Sequence, residues 1–164
     1  MIFSKNKITS KCAVLTIDRC CRLTGGRKLR GKTMVVRRYG TLERSRTDIL
    51  RRSDMPESMW CRDRFWAPEL FFFDGWFYLT FNCRNESEEY RHSHSVGLAR
   101  SKNVTGPYEV LTKEHGLTEG VPGDNDASLY AENGIFYLLC NEKHGIHMYK
   151  LDPETVTLSA GRKL

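Results

Sequence analysis

Pro68-Glu69-Leu70-Phe71-Phe72-Phe73-Asp74-Gly75-Trp76-Phe77-Tyr78-Leu79-Thr80-Phe81-Asn82 is a pair of aromatic-rich apolar runs hinged on Asp74-Gly75. A two-residue turn between right-twisted strands needs positive φ at both central positions, which Asp-Gly tolerates better than almost any other pair. The stretch therefore predicts an antiparallel hairpin, with strands at 68–73 and 76–82. Moving downstream, Ser95 to Ser101 reads as a third strand, and Gly106-Pro107 turns the chain into a short fourth at Tyr108 to Leu111. The pattern then recurs. Ala127 to Ala131, Asn133-Gly134 and Ile135 to Asn141 predict a second hairpin, Gly145 to Leu151 a third strand, and Asp152-Pro153 a turn. Gly75 and Gly134 are 59 residues apart, and Phe77-Tyr78-Leu79 stands at the same offset from Phe136-Tyr137-Leu138.

A repeated unit of several short antiparallel strands, each unable to bury both of its faces alone, is the mark of a β-propeller or a related radial array. The competing all-β architecture is a single β-sandwich with two similar hairpins. The 164 residues accommodate two to three blades at roughly 40 to 60 residues each, which is short of a closed ring.

Upstream the chain reads differently. Residues 1 to 58 sustain neither a period of 2 nor one of 3.6. Arg19, Arg22, Arg27, Lys28, Arg30 and Lys32 surround Gly25, Gly26 and Gly31, and only Ala13 to Ile17 and Met34 to Val36 suggest short strands. Residues 1–64 hold 17 Lys and Arg against 6 Asp and Glu, a net +11, while the remaining 100 residues carry −5. The overall +6 therefore belongs to the first part. The expected division is a divergent or weakly ordered basic segment at 1–59 and two blades at 60–164. A basic arm suits nucleic acid or an anionic surface, so a basic nucleic-acid-binding protein stands as a third functional reading. The charge lies outside the patterned region, and neither a nucleic acid nor a membrane is the expected partner. No apolar stretch of signal-peptide length follows Lys5, Lys7 and Lys11, and no run is long enough to span a bilayer; the chain as given reads as soluble and cytoplasmic.

Cys12, Cys20, Cys21, Cys61, Cys83 and Cys140 form no C-x-x-C pair, which argues against a zinc site. Cys83 and Cys140 fall in apolar runs and read as small core residues. His92 and His94 form an H-x-H pair within the polar stretch Asn85 to Ser95. Such a pair holds a metal when both rings share a strand face, and the alternative, a solvated loop, is preferred. No metal and no cofactor are expected.

Four motifs occur in order: Trp66-Ala67-Pro68-Glu69, Asp74-Gly75-Trp76-Phe77-Tyr78-Leu79, Val96 to Ser101 followed by Gly106-Pro107-Tyr108, and Asp126-Ala127-Ser128-Leu129-Tyr130 with Asn133-Gly134-Ile135-Phe136-Tyr137-Leu138. Together, over about Trp60 to Leu158, they resemble glycoside hydrolase family 43. That resemblance implies a five-bladed propeller, of which this chain holds about two blades behind its poorly patterned basic segment. It also implies an inverting hydrolase of arabinose- or xylose-containing polysaccharide that works with three carboxylates. Here the copy is expected to be truncated and short of its catalytic set; a noncatalytic carbohydrate-binding propeller fragment is the alternative. The resemblance places the acid-tuning Asp at Asp126, with Asp124 the fallback if the register slips by two. The same Asp126 also reads as a loop-end residue bonded to its own backbone. The family's base belongs upstream, where Asp18 is the one acidic residue before Glu43 but lacks the family's Asp-Pro continuation. For the general acid, Glu132, Glu142, Asp152 and Glu154 all fall outside the expected later blade. Trp66 and Phe65, with Trp60 beside them, are candidate sugar platforms, and core packing is the equal alternative for this cluster.

Overall fold

The computed structural model describes residues 13–16, 28–35 and 43–51 as backbone strands, and residues 49–50, 55–85, 94–142 and 145–164 with their side chains. All regular structure among them is β, and no described helix is long and apolar enough to cross a membrane. Three strands, β1 (Ala13–Thr16), β2 (Lys28–Val35) and β3 (Glu43–Arg51), form an antiparallel sheet. The strand suggested at Ala13 is present, while β2 runs well ahead of Met34 and β3 was not foreseen.

Two four-stranded antiparallel meanders follow. The first is β4 (Asp63–Phe73), β5 (Trp76–Arg84), β6 (Ser95–Ser101) and β7 (Glu109–Val110); the second is β8 (Asn125–Glu132), β9 (Ile135–Glu142), β10 (Gly145–Asp152) and β11 (Thr157–Lys163). Both hairpin turns have the geometry that their sequence demands: φ is 47° and 74° at Asp74-Gly75, and 52° and 76° at Asn133-Gly134.

The side-chain alternation of β5 explains how the sheets stack. Leu79, Phe81 and Cys83 enter one core with Trp60, Cys61, Phe65 and, from β3, Ile49 and Leu50. Tyr78, on the opposite face, joins Val96, Leu98, Leu129, Phe136 and Leu138 in a second core between the meanders. A strand buried on both faces needs a near-continuous apolar run, and Trp76 to Phe81, broken by Thr80 alone, supplies one. Each fully buried Leu or Phe in these cores contributes about 1.5–3 kcal/mol of transfer free energy. Cys61, Cys83 and Cys140 are free buried thiols, in the core role expected of the latter two. Two separate core layers, one on each face of the first meander, set aside the single sandwich, which closes two sheets around one core.

Polar contacts finish the seam between the meanders. Arg100 on β6 reaches Glu154 in the turn after β10 and lies 4.4 Å over the Trp76 ring.

Candidate functional site

The first strands of the two meanders are both broken by bulges. In β4 the register with β5 shifts between Asp63 and Trp66 and again between Trp66 and Glu69, and Arg64 and Ala67 have φ of 53° and 45°. In β8 the register with β9 shifts between Asn125 and Ser128, and Asp126 has φ of 45°. A left-handed residue with a Cβ is uncommon and persists where the surroundings over-determine it. Ala67 and Asp126 are related by the same 59-residue repeat that separates Glu69 from Ser128. Those last two meet directly: the Ser128 hydroxyl donates to Glu69 Oε2.

Asp126 is exposed on its bulge, and its backbone N–H donates to Asn82 Oδ1 at 3.0 Å. Among the described residues its carboxylate accepts only a long contact, 3.5 Å, from Asn125 Nδ2. The reading of Asp126 as a residue occupied by its own backbone therefore does not describe this geometry. The Asp124 carboxylate, by contrast, is engaged by His94 Nδ1 at 3.1 Å. His94 in turn stacks on Trp66, with ring centroids 4.9 Å apart and planes 3° from parallel. Its Nε2 lies 3.4 Å from Asn82 Nδ2, which also donates to the Asp124 carbonyl at 2.6 Å. Trp66, Asn82, His94, Asp124 and Asp126 thus form one polar cluster at the rim between the meanders.

Trp66 is half-buried and one of its faces is covered by His94, so a sugar ring has only the opposite face to stack on. Phe65 needs correction: 4 % exposed, it tilts against Phe81 at 5.6 Å in the first core and offers no face to a ligand. Trp60 is also a core residue, its indole N–H donating to the Thr112 carbonyl at 2.8 Å. Asp18 and His92 lie outside the described residues. No group of His, Cys, Asp and Glu among the described residues is arranged to hold a metal.

Of the remaining downstream carboxylates, Glu132, Asp152 and Glu154 occupy hairpin ends away from this rim, while Glu142 stands at the rim end of β9, next to Asn141, which pairs with Asn125. Asp152 accepts from the Glu154 and Thr155 amides, which hold its carboxyl below the usual range. Glu154 pairs with Arg100, Glu142 pairs with His147 at 2.7 Å, and Glu132 closes the second hairpin. Asn82 was missed from sequence because it belongs to no motif that points to chemistry; His94, read as half of an H-x-H pair in a solvated loop, instead stacks on Trp66 and pairs with Asp124 of the neighbouring meander.

Comparison with known proteins bears on this arrangement. Residues 41–164 match the model of the family described as Glycosyl hydrolases family 43. Among solved structures, the chain is similar to a β-xylosidase (TM-score 0.61, 15% identity), with 84% of this chain and 48% of that one covered. It is also similar to an endo-arabinase from Bacteroides thetaiotaomicron (TM-score 0.62, 20% identity), covering 84% of this chain and 47% of that one. A third is a β-xylosidase/α-arabinofuranosidase from a compost microbial metagenome in complex with xylotriose (TM-score 0.60, 14% identity), with 84% and 48% covered. Comparison with curated proteins gave no match. The chain spans about half the length of the solved structures it resembles, and its two meanders are blades of a partial five-bladed propeller. With three quarters of its length matched by one family model, the chain belongs to glycosyl hydrolases family 43.

Proposed function

We propose that this chain carries one side of the active site of an inverting glycoside hydrolase acting on arabinose- or xylose-containing polysaccharide. Asp126 is the carboxylate that tunes the general acid, and the face of Trp66 opposite His94 is a platform for a pentose ring. The observation that carries this reading is the exposed Asp126 carboxylate, presented on a left-handed bulge at the rim between blades. The xylotriose in a similar structure supports a pentose ligand.

Inversion needs an acid and a base on opposite sides of the scissile bond, about 6.5–9.5 Å apart, so that water fits between them. A third carboxylate beside the acid raises its pKa by like-charge repulsion and keeps it protonated near neutral pH. Asp126 fills that third role. Acid and base are assigned to no described residue, since Glu132, Asp152 and Glu154 sit at the far hairpin ends and Glu142, at the rim end, is paired with His147. That placement favours a second reading, in which this chain on its own binds oligosaccharide without cleaving it.

Pentose release from arabinan and xylan, together with calorimetric titration of xylotriose, distinguishes the two. The hydrolase reading expects release that falls at least about 100-fold in Asp126→Ala, the scale of a lost acid–base contribution. Release unaffected by that change removes Asp126 from the mechanism. Binding that weakens in Trp66→Ala with no release from the unaltered chain puts the noncatalytic reading first.

A further inference from the structure

We propose that Asn82 is a positioning residue that holds the Asp126 carboxylate in place; this rests on the role of Asp126 given above. Asn82 lies near the end of β5 with its side chain fully buried. At the bulge in β8, residues 126 and 127 have no partners on β9, so their backbone groups need bonds from elsewhere. The other blade supplies them. Asn82 Oδ1 accepts from the Asp126 N–H at 3.0 Å, Asn82 Nδ2 donates to the Asp124 carbonyl at 2.6 Å, and Thr80 Oγ1 donates to the Ala127 carbonyl at 2.8 Å. Thr80 and Asn82 are two residues apart on one strand and so point to the same face. They act as a short substitute strand along which the bulge is laid.

The chemistry selects asparagine. One side of the bulge presents an N–H and the other a C=O, and a primary amide offers one acceptor and two donors. The second Asn82 N–H points at His94 Nε2, 3.4 Å away. With His94 Nδ1–H donating to Asp124 Oδ2, Nε2 is left to accept. The amide has one productive orientation, because turning it over would set Oδ1 against the Asp124 carbonyl oxygen. Fixing the backbone on both sides of residue 125 fixes where the Cβ of Asp126 points, and the same amide touches the imidazole stacked on Trp66. Sugar platform and carboxylate are thus referenced to one buried group.

Residue-resolved hydrogen exchange tests this without reference to activity. Asn82→Ala is expected to speed exchange at the Asp126 amide at least about tenfold, the equivalent of one lost hydrogen bond, while the Leu138 amide in β9 keeps its rate. Asn82→Asp, studied at a pH low enough to keep the new carboxyl neutral, retains an acceptor for the Asp126 N–H and an O–H for the Asp124 carbonyl and is expected to keep Asp126 protected; it carries the test if the alanine variant does not fold. Unchanged exchange at Asp126 in Asn82→Ala, lost protection in a folded Asn82→Asp, or equal acceleration at Leu138 would overturn the proposal. In pentose release, Asn82→Ala is expected to lower kcat with little change in KM, and Asn82→Ala/Asp126→Ala to be no slower than Asp126→Ala alone; independent, additive losses count against it. If Asp126→Ala leaves release unchanged, the reading of Asp126 fails, and the exchange rates still decide whether Asn82 holds the bulge.

Discussion

Tyr78 and Tyr137 occupy the same place in the two blades, each the middle residue of a Phe-Tyr-Leu run directly after a hairpin turn. Tyr78 is 2 % exposed and packs on Phe136 of the neighbouring blade, with ring centroids 5.0 Å apart. Tyr137 is half-buried and lines a shallow hollow of about 270 Å³ with Met148, Lys150, Ala160 and Arg162. The backbones repeat, and so do the residues; what differs is the neighbour. The first blade is packed on both faces, the second on the face toward the first. A second contrast runs the other way. Ala67 and Asp126 share one left-handed bulge position, where the backbone conformation corresponds and the side chain differs. Propeller architecture therefore repeats the scaffold and leaves chemistry to single substitutions at fixed places in it.

Exchanging the two bulge residues is the largest perturbation of this comparison. Ala67→Asp combined with Asp126→Ala keeps the net charge and both backbone positions, yet pentose release is expected to remain at least about 100-fold down. Recovery would mean that any carboxylate on this rim suffices. The tyrosines come next. Tyr78→Ala is expected to cost about 3–5 kcal/mol, in line with other large-to-small changes in cores. Tyr137→Ala should stay below about 1 kcal/mol, as a partly solvated side chain does. Equal urea midpoints for the two variants would break the distinction between a two-sided and a one-sided blade. Thr80→Val, which keeps the shape and removes the hydroxyl that reaches the Ala127 carbonyl, is expected to cost about 1–2 kcal/mol because that carbonyl is left unpaired.

The thiols give the smallest effect. Burial pushes both Cys61, in the first core, and Cys140, in the second, from an ordinary 9.0 up to about 12. The folded state thus favours the neutral thiol. The associated stability is whole below pH 9, where the unfolded thiol is also protonated, and is lost as pH rises from 9 through 12. Denaturation midpoints measured across that range should fall less steeply in Cys61→Ala and Cys140→Ala than in the unaltered chain.

What could be read in the chain beforehand follows from how local each signal is. The two hairpins were legible because Asp74-Gly75 and Asn133-Gly134 specify a turn by themselves, and β6 was placed at Ser95 to Ser101 as found. The first five residues of β4 were not, because bulges at Arg64 and Ala67 break the alternation that identifies a strand. In β3, Glu43 to Asp48 is polar or charged throughout, and only Ile49 and Leu50 hint at a core. Asp126, proposed above as the tuning carboxylate, was singled out by the order of motifs. The role of Asn82 and the packing of His94 could not be read in this way, since both reach Asp124, at least 30 positions away in the chain.

The stacking of Trp66 on His94 has an optical consequence. An indole lying flat on an imidazole emits differently from one in solvent or in an apolar core, and the chain's other two tryptophans report on other surroundings: Trp60 is locked in the first core and Trp76 lies beneath Arg100 and Lys102. With Trp60→Phe and Trp76→Phe in place, the remaining emission becomes a built-in gauge of whether the rim between the blades is occupied.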